Sequence, residues 1–147
     1  MSRTVIIGVG NAMRGDDAAG VHVARLLVSS GIQAHESSGE TASLMDLWQG
    51  ADCVVLVDVS QSGTKPGDIE RFDVSTEPLP TSFLHCSTHA FGVAEAVELA
   101  RSLGSLPPRV IVFGIEGSSF EHGADLSKEI AEAVHRAADL IKAEIKG

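Results

Sequence analysis

The chain has 147 residues, 44% of them hydrophobic, which suits one domain spanning 1–147 with a sizeable core. Twenty acidic residues against eleven basic ones leave a formal charge of −9, which argues against nucleic acid as a partner. No run approaches the ~20 apolar residues of a membrane span, no leader-like segment precedes the first strand, and Cys53 and Cys86 make no disulfide framework. A cytoplasmic protein with reduced thiols and no membrane contact is therefore expected.

In chain order, Thr4–Val9 is an apolar run rich in β-branched residues, the pattern of a strand buried on both faces. Asp17–Ser29 has helical period, Ile32–Glu36 reads as a short strand, and Thr41–Trp48 is helical again. Cys53–Val57 repeats the buried-strand pattern. Asp68–Val74, with Glu70, Phe72 and Val74 on one side, reads as an edge strand. Ser75–Ser87, which contains Pro78 and Pro80, is the longest irregular stretch; Leu79, Phe83 and Leu84 make it either a partner-contacting surface or a loop folded onto the core. Helix Thr88–Leu103 carries the stripe Val93, Ala96, Val97, Ala100 and Leu103. Val110–Ile115 is a third buried strand, and Lys128–Lys146 a helix with Ile130, Val134, Ala137, Ala138, Ile141 and Ile145 on one face and Ser127 placed to cap it. Alternating strands and helices predict a three-layer α/β/α fold with a largely parallel twisted sheet and one antiparallel edge strand.

Chemistry-bearing residues gather where strands end. Gly8-Val9-Gly10-Asn11 and the acids Asp16-Asp17 follow the first strand. The glycines fail the G-x-G-x-x-G fingerprint, which would need glycine at Met13, and no Gly-Lys-Ser/Thr follows for a phosphate loop. An acidic turn attracts a cation instead. One helix has only one N-cap; if Asp16 takes that role, Asp17 stays available to a ligand. Asp58 follows Val54-Val55-Leu56-Val57 and emerges where α/β folds place functional acids. His89 continues the apolar stripe of its helix at the N-terminal end, by the i, i+4, i+7 spacing to Val93 and Ala96, and points over the same sheet edge. His85 and Cys86 offer a competing pairing with His89. His22, His35, His122 and His135 read as structural or solvated.

Two carboxylates and an imidazole, Asp17, Asp58 and His89, suit a divalent ion with coordination positions left open. The chain has no G-x-S-x-G elbow and no H-E-x-x-H, so any hydrolysis would be metal-assisted. A receiver-like phospho-acceptor, built on Asp16, Asp17, Asp58 and Thr88, is the alternative from another class. Against it, the acid pair follows a six-residue glycine-rich turn after Val9, and the last strand exits through Gly114-Ile115-Glu116-Gly117 without a lysine. A nucleotide-binding α/β module is the third reading.

Across nearly its whole length the sequence resembles the hydrogenase maturation endopeptidases. The resemblance rests on Gly8-x-Gly10-Asn11 with Asp16-Asp17 and Gly20, on Val57-Asp58, on Ser87-Thr88-His89-x-x-Gly92, and on Gly114-Ile115-Glu116 leading to Gly123-x-x-Leu126-Ser127. It implies an endopeptidase, aspartic-type or metal-assisted, that removes a C-terminal peptide from the large-subunit precursor of a nickel–iron hydrogenase. By the same resemblance Asp17, Asp58 and His89 would engage a nickel ion delivered with the substrate, a site open to other divalent metals too, while Asp16 would be a neighbour. A monomer is expected from the acidic surface. The chain departs from the family pattern at Ala18, at Glu36-Ser37-Ser38-Gly39-Glu40 and at Glu116-Gly117, which leaves the hydrogenase class open.

Overall fold

A computed structural model describes residues 3–80 and 90–146. Its elements are β1 (Thr4–Val9), a 3-10 turn (Gly15–Ala18), α1 (Ala19–Ser29), β2 (His35–Ser37), α2 (Thr41–Trp48), β3 (Cys53–Ser60), β4 (Ile69–Asp73), α3 (Ala90–Leu103), β5 (Arg109–Glu116) and α4 (Lys128–Lys146). The sheet order is β2-β1-β3-β5-β4, parallel throughout except for β4, which runs antiparallel to β5. The expected α/β/α fold with an antiparallel edge strand is borne out. The order and the antiparallel edge differ from the 2-1-3-4-5 arrangement of receiver-type sheets.

Alternation along the strands divides the core in two. Val5 and Ile7, Val54 and Leu56, and Val110 and Val112 pack with Leu44 and Trp48 of α2 and Val93, Ala96, Val97 and Ala100 of α3. Ile6, Val55, Val57, Ile111 and Phe113 pack on the opposite face with Ala19, Val23 and Leu27 of α1 and with Ile130, Ala137 and Ile141 of α4. Each fully buried Val, Leu, Ile or Phe among them contributes roughly 1.5–3 kcal/mol, so these faces hold the helices in place. Central strands covered on both sides need no polar alternation, which is why their runs are continuous.

Several boundaries differ from the sequence reading. Helix α1 starts at Ala19 because Gly15–Ala18 closes as a 3-10 turn, and β3 extends through Ser60 because Val59 and Ser60 still pair with Ile115 and Glu116. Strand β2 covers only His35–Ser37, the three residues that meet β1, while Ile32 and Ala34 pack against the core ahead of it. Leu103, the last residue of α3, is 66% exposed and does not join the buried stripe. Leu79 is buried against the α2–α3 core, so this part of the irregular stretch folds inward; Phe83 and Leu84 lie outside the described residues.

β1 has β2 on one side and β3 on the other, so the chain reverses direction across the sheet between β1 and β3. The crevice beyond the C-terminal ends of two such strands is where open α/β sheets bind ligands. Among the described residues no helix is long and apolar enough to cross a membrane.

Candidate functional site

Glycines let the turn after β1 settle onto the sheet. A Cβ on Gly8 would collide with the Gly20 carbonyl, and one on Gly20 with the carbonyls of Val9 and Val57. Helix α1 thus begins directly above the ends of β1 and β3, its first turn resting on the residue before Asp58. The Asp17 amide donates to the Arg14 carbonyl at 3.0 Å, and the Asp17 carbonyl accepts from the Asn11 amide at 3.1 Å. Asp17 is fully buried.

Asp58, also fully buried, sits within β3 opposite Gly114 of β5, not just beyond the strand as its sequence position suggested. Its Oδ1 accepts from the Val59 amide at 2.8 Å. Strand alternation puts it on the side of Val54 and Leu56, the face covered by α2 and α3. Asp17 and Asp58 are therefore brought to the C-terminal ends of adjacent strands. His89 lies outside the described residues, as do His85 and Cys86. Among the described residues no group of three or more His, Cys, Asp or Glu could hold a metal ion.

Asp16 does not cap α1. The position before the 3-10 turn is Arg14, with no side-chain cap bond, and the Asp16 carboxylate instead reaches across to the segment between β5 and α4. Oδ1 accepts from the Ser127 amide at 2.7 Å. Oδ2 accepts from the Ser127 hydroxyl at 2.7 Å and from the Ser118 and Ser119 amides at 2.8 Å each. Burial pushes this carboxyl up, but the donors on Ser127, Ser118 and Ser119 together outweigh it and hold the group below the usual carboxylate value. Glu116 is the second buried acid that sequence reasoning left without a role. It collects the turn after β3, with Oε1 accepting from Ser62 and Thr64 and Oε2 from the Gly63 amide. Seryl and threonyl clusters at 60–64 and 118–127 were the available signal, but nothing local says which acid they serve.

A groove of about 670 Å³ opens beside this turn, lined by Ser60, Thr64, Ile69, Phe72, Gly114 and Glu116 among others. Neither Asp17 nor Asp58 lines it, although Gly114 is the register partner of Asp58. Elsewhere, burial and then the Arg25 charge lower the pKa of His22, and burial raises that of the Cys53 thiol.

A family model described as hydrogenase maturation protease (HycI) matches residues 39–144, a stretch that includes Asp58. The hydrogenase expression/formation protein HupD of Thiocapsa roseopersicina is 25% identical over 142 residues, covering 92% of this chain; the chain spans only 64% of the length of HupD. The NiFe hydrogenase maturation protease HycI from Thermococcus kodakarensis KOD1 is similar in structure, with a TM-score of 0.72 at 26% identity over 99% of this chain and 94% of that one. The hydrogenase maturating endopeptidase HybD from E. coli shares the fold, with a TM-score of 0.81 at 20% identity over 98% of this chain and 92% of that one.

Proposed function

Because the chain belongs to the hydrogenase maturation protease family, we propose that it is an endopeptidase that removes the C-terminal extension of a nickel-loaded hydrogenase large-subunit precursor. The observation that carries this reading is the pair of fully buried carboxylates, Asp17 and Asp58, at the ligand-binding edge of adjacent strands. His89, directly ahead of α3, is the third ligand in this proposal. Three protein donors leave positions for the precursor's own ligands and for the reacting group.

Nickel is here part of the substrate, delivered by the precursor, and other divalent ions would occupy the same donors. The bound ion would polarise the scissile carbonyl or activate a water, while Asp17, Asp58 and His89 hold it against the peptide. A precursor without nickel would lack the bridge and be spared. We further propose that residues 1–147 act as one domain, as a cytoplasmic monomer.

The test is incubation of the purified protein with nickel-loaded and nickel-free large-subunit precursor, reading the C-terminal mass shift. Cleavage of the loaded form alone is expected. Cleavage of both forms alike would remove the nickel checkpoint, and cleavage of neither would remove the protease assignment for that precursor.

A further inference from the structure

Asp16 holds more donors than any helix cap needs, and all of its donors come from the far end of the chain. Ser118, Ser119 and Ser127, 102, 103 and 111 positions away, converge on one buried carboxylate. The backbone stitches the same two segments together. The Asp16 amide donates to the Ser119 carbonyl at 2.7 Å, the Gly15 amide to the Ala124 carbonyl at 3.1 Å, and the Gly123 amide to the Met13 carbonyl at 2.6 Å. Space is reserved for the contact. Gly15 takes a φ of +52° where a Cβ would press on the Ser119 carbonyl, and a Cβ on Gly117 would meet the Phe120 and Val59 side chains at 2.8 Å and the Asp16 Cβ at 3.1 Å.

We propose that Asp16 is a positioning residue for Asp17, clamping the turn after β1 to the segment 118–127 so that the Asp17 carboxylate is presented at a fixed place and angle. This rests on the reading of Asp17 as a metal-engaging residue. Adjacent Cα atoms are held about 3.8 Å apart, so anchoring the amide and carboxylate of Asp16 leaves the next residue little freedom. Asp17 is itself tied on the other side, through its amide to Arg14 and its carbonyl to Asn11. Ligand sets tolerate displacements of only about 0.5 Å, and partners that orient a ligand typically change metal affinity about 10–100-fold when lost. The segment 118–127 thereby contributes to the site without touching the metal.

The experiment compares the full-length protein with Asp16→Asn, Ser127→Ala and Asp17→Asn, using cobalt(II) as probe. Affinity and the visible absorption of bound cobalt are measured, together with circular dichroism melting and kcat and KM on nickel-loaded precursor. Asp16→Asn and Ser127→Ala are expected to fold, to bind cobalt about tenfold or more weakly with a changed ligand-field spectrum, and to lower kcat with KM unchanged. Wild-type affinity and spectrum in folded Asp16→Asn, with binding lost in Asp17→Asn, would overturn the positioning role and leave the Asp17 assignment intact. Wild-type binding and cleavage in Asp17→Asn would instead overturn the site reading and this inference with it. If Asp16→Asn fails to fold, Ser127→Ala, which removes a single hydroxyl donor, decides by the same measurements.

Discussion

Ser62 gives Glu116 both of its donors: its hydroxyl lies 2.7 Å and its amide 3.0 Å from the same carboxylate oxygen, Oε1. With Thr64 on that oxygen and the Gly63 amide on the other, Glu116 pins the turn that leaves β3 just beyond Asp58. Glu116 is buried while Ser62, Gly63 and Thr64 are exposed, so water takes up these donors when the carboxylate goes, and what is lost is the charge-assisted bonding, worth about 1.5–3 kcal/mol per bond at most. Glu116→Ala is expected to destabilise the protein by about 3 kcal/mol, and Glu116→Gln, which keeps the shape and one acceptor, by about half that. Urea unfolding of the two variants, read as a shift in midpoint at unchanged slope, measures the difference.

Asp16 makes the fold acid-sensitive in a predictable window. Its carboxyl is held below its usual value of 3.8 in the folded protein, so the unfolded chain takes up the proton first as pH falls. The stabilisation is complete above the unfolded value and is lost as pH drops through the lower, folded one. Asp16→Asn should therefore be less stable than the parent at neutral pH but show a shallower loss of stability below about pH 4. Parallel slopes for parent and variant in acid would contradict this.

How much of this was legible beforehand depended on how local the cause was. β1, α2 and α4 have the bounds their residue patterns predicted, because β-branched runs and a 3.6-residue apolar stripe act within one element. β2 starts three residues later and ends one residue later than expected because Ile32 and Ala34 are apolar without being paired, and pairing with β1 is decided by a neighbour the pattern cannot see. Asp17 and Asp58 were visible as acids at strand ends. The work of Asp16 was not: its acceptor geometry looks like a cap until the segment 118–127 is folded against it. His89, the remaining predicted ligand, lies outside the described residues.

Gly20 tests whether close backbone approach is what seats the turn. Its missing side chain leaves room for two carbonyls, those of Val9 and Val57, neither of which can swing away as a flexible side chain would. Gly20→Ala must lift α1 from the sheet, with an expected cost of about 3 kcal/mol, the upper end for overpacking, despite the better helix propensity of alanine. Since α1 continues directly from the 3-10 turn that holds Asp17, cobalt affinity should fall in the same variant. A melting temperature at or above that of the parent would show that the packing is looser than the carbonyl positions require.

The three proposed ligands make a sharper prediction than any one of them. Asp17→Asn and Asp58→Asn keep the size of each side chain and remove one charge from the interior, so neither opens a cavity, and both are expected to fold. Each should nonetheless reduce processing of nickel-loaded precursor by at least about 100-fold, because an amide is a poor substitute for a carboxylate on a divalent ion. His89→Ala should do the same, and parent activity should fall on acidification, because a protonated imidazole is no longer a donor to metal. The pH arm separates ligand from scaffold: an imidazole that only supports the backbone would leave processing flat on acidification while thermal stability changed. Cleavage retained in all three variants would remove Asp17, Asp58 and His89 from the chemistry together.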